Sequence, residues 1–316
     1  MRALRTGRRL RQAAVIVAAA TGMVVAGAGA AHAATAQLDR HVVPVNNDHL
    51  SVTSGPLVLS YDGTHYFGDM RLSVTNDNPT AVSDANLSIN VPAGLVVTTL
   101  SGASGCVGSA PVSCGVDTLQ PGTTTVTVSF GSFAAPAGRA RVTADGSATV
   151  TRLANTAHPS AREKTRFHGV LASTSGSVSH PVAYQPAAVN DLGLSAGTAS
   201  VTRQDDGSYT VRVPVTALDK NDAANQTAWI EPSTTLPNAT FTGTDPAAPC
   251  TIVCSVPGSP SWMSSGESRS VAVLYTVPAG TAPGVYEVTV YGVFNFDEDD
   301  ATPADNTVTV SVTIPE

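Results

Sequence analysis

The stretch Leu57-Val58-Leu59-Ser60-Tyr61-Asp62-Gly63-Thr64-His65-Tyr66 decides the fold. An alternating run enters Asp-Gly, a strong short-range hairpin signal, and a second run, Met70-Arg71-Leu72-Ser73-Val74-Thr75, leaves after it. The same punctuation returns as Asp206-Gly207-Ser208-Tyr209. Farther on, Ala137-Gly138-Arg139-Ala140-Arg141-Val142-Thr143 is answered by Pro283-Gly284-Val285-Tyr286-Glu287-Val288-Thr289, with Gly146 and Gly292 each eight residues past Gly138 and Gly284. The two halves therefore read as versions of one β-rich module. Period-two runs recur from Asn86 to Val91, Thr123 to Phe130, Tyr209 to Val215, Ser270 to Val277 and Thr307 to Ile314, and no stretch after residue 33 holds a helical period for three turns. The expected class is all-β, two tandem β-sandwiches of about seven strands each.

The first 33 residues read as an export signal. Arg2, Arg5, Arg8, Arg9 and Arg11 make a positive start, Ala13 to Ala30 an apolar middle, and Ala31-His32-Ala33 a small-x-small cleavage site. Arg8-Arg9 raises the twin-arginine route, but no Phe-Leu pair follows, so the export route stays open. No later stretch is apolar enough to span a bilayer, and the chain closes on Ile314-Pro315-Glu316 without a sorting tail, so a released extracellular protein is expected. Removing the signal takes five Arg and no acid, leaving 12 basic against 24 acidic residues and moving the formal charge from −7 to −12. That balance argues against nucleic acid or an anionic membrane as partner. It is also uneven: residues 34–184 carry 8 basic and 9 acidic residues, residues 185–316 carry 4 and 15.

About 283 residues after the signal suffice for two domains, each with its own core. The expected division is 34–172 for the first, 173–186 as a linker through Ser173-Thr174-Ser175-Gly176-Ser177, Pro181 and Pro186, and 187–316 for the second. Arg162 to His168 reads as the closing strand of the first module, equivalent to Asn306 to Ile314.

Leu72-Ser73-Val74-Thr75-Asn76-Asp77-Asn78-Pro79-Thr80, then Val91-Pro92-Ala93-Gly94-Leu95, Cys106 and Cys114, and Leu119-Gln120-Pro121-Gly122 resemble the repeated immunoglobulin-like domains of bacterial surface and secreted proteins. Asp300-Ala301-Thr302-Pro303-Ala304-Asp305-Asn306 matches their closing loop. The second module departs from the pattern, with Ala217-Leu218-Asp219 where Thr-Asn would stand and Gly266 lacking its proline. The resemblance implies immunoglobulin-like sandwiches in a structural, spacer or adhesion role, and brings no catalytic residues.

Cys106 and Cys114 precede the Pro121-Gly122 turn, and Cys250 and Cys254 precede Ser265-Gly266, so each pair holds the same place in its module. Of three connectivities, this symmetry favours pairing within modules. A metal site at Cys250-x3-Cys254 lacks a neighbouring His, since none lies beyond residue 185. Gly193-Leu194-Ser195-Ala196-Gly197 matches the G-x-S-x-G of hydrolases, but the last histidine, His180, lies upstream of Ser195, and the string reads as a small-residue turn. His41, His49, His65, His158, His168 and His180 form no H-x-x-x-H pair and read as surface or strand-end residues.

The acidic loops are the remaining candidate site. Asp297, Asp299 and Asp305 in one loop and Asp219 and Asp222 in another are expected at one pole of the second sandwich, where converging carboxylates would suit calcium; the bland alternative is a pair of solvated loops. Two functional readings follow. The first is a secreted non-catalytic structural or adhesion protein that presents loops to a protein or cell-wall partner. The second is a carbohydrate-binding pair whose ring platforms would be Trp229 and Trp262. No acid-base, nucleophile or metal constellation has both its members and their spacing, so no enzyme is expected. Peptide mapping of the non-reduced protein should join Cys106 to Cys114 and Cys250 to Cys254, and a bond from Cys114 to Cys250 would break the two-module reading.

Overall fold

The computed structural model describes residues 49–153, 161–224, 227–294 and 300–316. In the first half the strands are β1 (Leu50–Ser54), β2 (Leu57–Tyr61), β3 (Tyr66–Asn76), β4 (Ala85–Asn90), β5 (Leu95–Ser101), β6 (Ala103–Val107) and β7 (Val112–Val116). They continue with β8 (Gly122–Ser132), β9 (Arg141–Val142), β10 (Gly146–Arg152), β11 (Lys164–Phe167), β12 (Gly169–Leu171) and β13 (Val182–Ala183). The second half holds β14 (Leu192–Ala196), β15 (Ser200–Arg203), β16 (Tyr209–Asp219), β17 (Ala228–Thr234) and β18 (Thr240–Asp245). It closes with β19 (Cys254–Ser255), β20 (Ser268–Val277), β21 (Gly284–Phe294) and β22 (Thr307–Ile314). The described residues contain no α-helix.

Alternation in sequence becomes alternation in burial. Met70, Leu72, Val74 and Asn76 of β3 point inward while Arg71 is exposed, and Val211, Val213, Val215 and Ala217 of β16 do the same around exposed Arg212. Each buried Leu or Val contributes about 1.5–3 kcal/mol, so a one-residue slip of either strand would forfeit the whole inward set. An eight-stranded sheet built on β3 and a five-stranded sheet built on β4 and β10 enclose the first core, which includes Leu72, Val74, Leu87, Ile89, Val126, Val128 and Val150. A five-stranded sheet on β16 and a four-stranded sheet on β17 and β21 enclose the second, with Val211, Val213, Ile230, Val273, Val288 and Val290. The all-β tandem-sandwich expectation holds.

The two sandwiches share a strand order. β11-β10-β4-β7 in one sheet corresponds to β22-β21-β17-β19, and β3 flanked by β1, β2 and β8, with β5 outside, corresponds to β16 flanked by β14, β15 and β20, with β18 outside. Both Asp-Gly turns form by one mechanism. Asp62 Oδ1 accepts the N–H groups of Thr64 and His65, each at 2.8 Å, and Asp206 Oδ1 accepts that of Ser208 at 2.9 Å. Gly63 and Gly207 supply φ values of 109° and 82°. Cys106–Cys114 staples β6 to β7, and Cys250–Cys254 holds the loop ahead of β19, as the module symmetry predicted.

The first sandwich is wider than its counterpart. β12 runs parallel to β2, β9 follows it, and β13 runs parallel to β9. The span 173–186, expected as a linker, thus contributes β13 and the buried Tyr184 ring to the first sandwich. Pro181 and Pro186 favour the extended backbone that an edge strand uses. Residues 44–316 form one compact unit.

The ends of β3 and β16 also correspond. Asn76, 1% exposed, donates from Nδ2 to Thr80 O at 3.0 Å and Leu119 O at 2.9 Å, and its Oδ1 accepts Asn78 N–H at 3.0 Å. Asp219, fully buried at the equivalent position, accepts Asn221 N–H at 3.4 Å. Asn76→Ala should remove both Nδ2 bonds and the acceptor of Asn78 N–H, leaving Leu119 O only its bond from Val82 N–H, and lower unfolding stability by about 2 kcal/mol in denaturant titration; a change within error would mean the loop rearranges at no cost.

Candidate functional site

The two sandwiches meet at Trp262, on the segment before β20. Its ring stands edge-on to His65, with centroids 4.9 Å apart, and to Phe133 at 5.4 Å, and lies 5.9 Å from Phe67. Gly131 makes the socket possible, because a Cβ there would come within 2.4 Å of the indole. The main chain follows the ring: Ser265 N–H donates to Phe133 O at 2.8 Å, and the Ser264 hydroxyl to Ser132 O at 3.2 Å.

A charged group fixes that segment from behind. Arg269, 7% exposed, donates from Nη2 to Trp262 O at 2.8 Å, from Nη1 to Ser261 O at 3.2 Å and from Nε to Glu267 Oε1 at 2.7 Å. Glu267 Oε2 accepts Ser264 N–H at 2.9 Å and lies 2.9 Å from His65 Nε2, which reaches it from the other sandwich. Burial pushes the Glu267 carboxyl upward, but Arg269, Ser264 N–H and His65 together hold it below its ordinary value. His65, read from sequence as a surface or strand-end residue, is 2% exposed and completes this junction. Its position directly after an Asp-Gly turn carried no sign of burial.

Beside the junction opens a cleft of about 760 Å³. Its walls are Val91 to Thr98 of the first sandwich, Gly108 to Ala110, and Thr227 and Pro260 to Trp262 of the second, with Phe67 and Phe133 at the base. Among the described residues no lining side chain is titratable, and the polar groups are Thr98, Ser109, Thr227, Ser261 and main-chain amides.

Of the five carboxylates expected to hold calcium, the three among the described residues, Asp219, Asp222 and Asp305, do not gather in one group. Asp219 serves the end of β16. Asp222 Oδ1 accepts Ala187 N–H at 3.0 Å and faces Tyr184, whose phenol is pushed well above its usual range by burial and then by that carboxylate. Asp297 and Asp299 lie outside the described residues. Asp305 instead gathers with Asp191 and Asp300, their carboxylate oxygens within 4.8 Å of one another. Lys220 enters this group, its ammonium paired with Asp305 and 3.4 Å from Asp191 Oδ1. Those contacts, the Asp305 hydrogen bond first, raise the Lys220 pKa. Asp300 is occupied by the backbone, accepting Leu192 N–H at 2.9 Å and Thr302 N–H at 2.8 Å.

Ser195 of the G-x-S-x-G string lies in β14, an exposed strand residue opposite Thr216, rather than in the turn expected. Trp262 is 6% exposed, so its faces are closed to a sugar, while Trp229 in β17 is half-buried.

No protein-family model matches the chain, and no curated protein matches it by sequence. Solved structures similar to it include domains of bacterial adhesins and surface proteins and the Escherichia coli chaperone DraB. CfaE, the adhesive subunit of the CFA/I fimbria of enterotoxigenic Escherichia coli, is 7% identical over 85% of this chain and 88% of its own, with a TM-score of 0.28. A partial N-terminal region of enterococcal surface protein is 7% identical over 85% and 95%, at 0.25. The B domain of a biofilm associated protein is 7% identical over 84% and 85%, at 0.25. Scores this low carry no inference about ligand or partner. No helix among the described residues is long and apolar enough to cross a membrane.

The junction carries a pH signature. A carboxyl held below its ordinary 4.5 in the folded state stabilises that state above 4.5 and loses the contribution as pH falls through the lowered value. Melting temperatures followed from neutral pH to pH 3 should therefore drop more steeply below about 4.5 for the parent than for Glu267→Gln. Parallel curves would remove Glu267 from the acid response.

Proposed function

We propose that this chain is a secreted, non-catalytic protein of the adhesion type. Residues 1–33 direct export, and the two sandwiches, the first extended by β13 and Tyr184, together present one binding cleft to a protein on a cell surface. The observation that carries this reading is the cleft's lining. It is concave, walled by part of β5 and several loops, largely apolar and, among the described residues, free of titratable side chains. General acid–base or nucleophilic chemistry needs such groups within reach of the bound molecule, whereas recognition of an apolar protein segment needs the shape and a few neutral hydrogen-bonding groups. The second reading, carbohydrate binding, is weaker. Stacking on a sugar ring needs an exposed aromatic face, and burial of Trp262 leaves that role to half-buried Trp229.

The test is capture of surface proteins and cell-wall fractions of the producing organism by the exported chain. Thr98 and Ser261 are exposed residues on opposite walls of the cleft. Thr98→Arg with Ser261→Arg places two charges in an uncharged cleft and should reduce capture at least about tenfold with an unchanged melting curve, the loss expected for burying unpaired charge. Undiminished capture would exclude the cleft, and loss of capture on adding soluble wall polysaccharide would favour the carbohydrate reading.

A further inference from the structure

We propose that β22 is a self-complementary edge through which two copies of this chain pair antiparallel. This goes beyond the cleft and stands independently of it. β22 is the outermost strand of its four-stranded sheet, hydrogen-bonded to β21 on one side. Two bonds set the phase of that ladder. Gly292 N–H donates to Asn306 O at 2.8 Å on the β22 side, and Thr235 N–H donates to Glu287 O at 2.9 Å on the β17 side. Bonded pairs in an antiparallel ladder recur at every second residue. Even-numbered β21 residues therefore bond to β22 and odd-numbered ones to β17. Val308, Val310 and Val312 accordingly direct their backbone groups to β21, and Thr307, Thr309, Ser311 and Thr313 direct theirs outward.

Most other outer strands among the described residues are blunted, and β1, five residues long, ends at Gly55-Pro56. β11, the counterpart of β22, has four residues and carries Lys164 and Arg166. β5 is bulged between Val97 and Thr99, β6 between Ser104 and Val107, and β18 between Phe241 and Gly243. β13 and β19 are two residues long, and the β14–β15 edge breaks at Gly197 to Ala199. Short length, charge and bulges are the usual means of preventing edge-to-edge pairing. β22 has eight residues in regular register, with no charge, Gly or Pro. A shallow groove lined by Ala196, Gly197, Thr198 and Val308 to Ser311 leaves space along it.

The sequence Thr307-Val308-Thr309-Val310-Ser311-Val312-Thr313 specifies a second copy as the occupant, because it reads nearly the same in both directions. With Val310 on the two-fold axis, Thr307 faces Thr313, Val308 faces Val312 and Thr309 faces Ser311. Each outward-directed residue then meets another outward-directed residue, so the new ladder is fully bonded. Moving the axis to Ser311 would oppose Thr307 to Pro315, which has no N–H. The hydroxyl pairs are of a kind the chain already uses across strands, in Thr289–Thr309 at 3.0 Å, Thr75–Thr123 at 3.0 Å and Thr216–Ser270 at 2.9 Å. Asp305 would face Pro315 and Glu316 would face Ala304, so no like charges meet at this edge.

Sedimentation of the exported chain over a micromolar-to-millimolar range should show the mass rise from one copy to two. Added NaCl should move the transition to lower concentration, because the acidic bodies repel while the contact is uncharged. Thr309→Lys with Ser311→Lys should stay monomeric throughout with unchanged circular dichroism. Val310→Cys sits where facing Cα atoms come within about 4.5 Å, so mild oxidation should cross-link it to its own copy, whereas Val285→Cys, exposed at 68% on β21, should not cross-link. A monomer at every concentration, a dimer that survives the two lysines, or equal cross-linking of both cysteine variants would each overturn the proposal.

Discussion

The seating of Trp262 between His65, Phe67 and Phe133 is the constraint on which the arrangement of the two sandwiches depends. A tandem pair joined only by chain would leave the cleft walls to drift, because inter-domain motion is the default where the interface is small and polar. Here the indole fills a socket that exists because position 131 has no side chain, and the loop carrying the ring is held by Arg269 through two main-chain carbonyls. Glu267 joins that guanidinium to an imidazole from the opposite body, so the charged part of the junction is satisfied from both sides. The cleft is the space left beside this contact, and its shape follows from the contact's rigidity.

Much of the fold was legible because strand burial writes itself into the chain at period two. β3, β8, β16, β20, β21 and β22 each span at least eight residues, enough alternation to identify an inward face. The Asp62-Gly63 and Asp206-Gly207 turns were legible because their chemistry is local, and the cysteine pairs because their spacing from the next turn repeats. β12 and β13 were not, since two or three residues carry no period and their pairing is decided by sequence-distant partners. The span from Ser173 to Pro186 had the composition of a linker, and composition does not reveal that a neighbouring edge is open to receive it.

The functional residues were less legible for a related reason. A carboxylate rich in sequence neighbours of its own kind looks like a ligand, yet Asp219 and Asp222 are spent on a strand end and on a loop amide. The signal that could have placed Asp219 was present in Asn76, its counterpart at the end of β3. Asp305 was read as belonging with Asp297 and Asp299, and the residues it meets, Asp191 and Lys220, come from segments more than eighty positions earlier. Trp262 was weighed as a platform because large rings are scarce here. Nothing local tells a buried ring from an exposed one when its socket belongs to another sandwich.

The lysine distribution has a practical corollary. The chain has two lysines, Lys164 and Lys220. Lys164 is exposed on β11 of the first sandwich, while the Lys220 ammonium is clamped between carboxylates that keep it protonated. Amine-reactive reagents attack the neutral amine, so side-chain labelling falls chiefly on Lys164. A bead or sensor surface coupled through that side chain would hold the molecule by the β11 edge of the first sandwich.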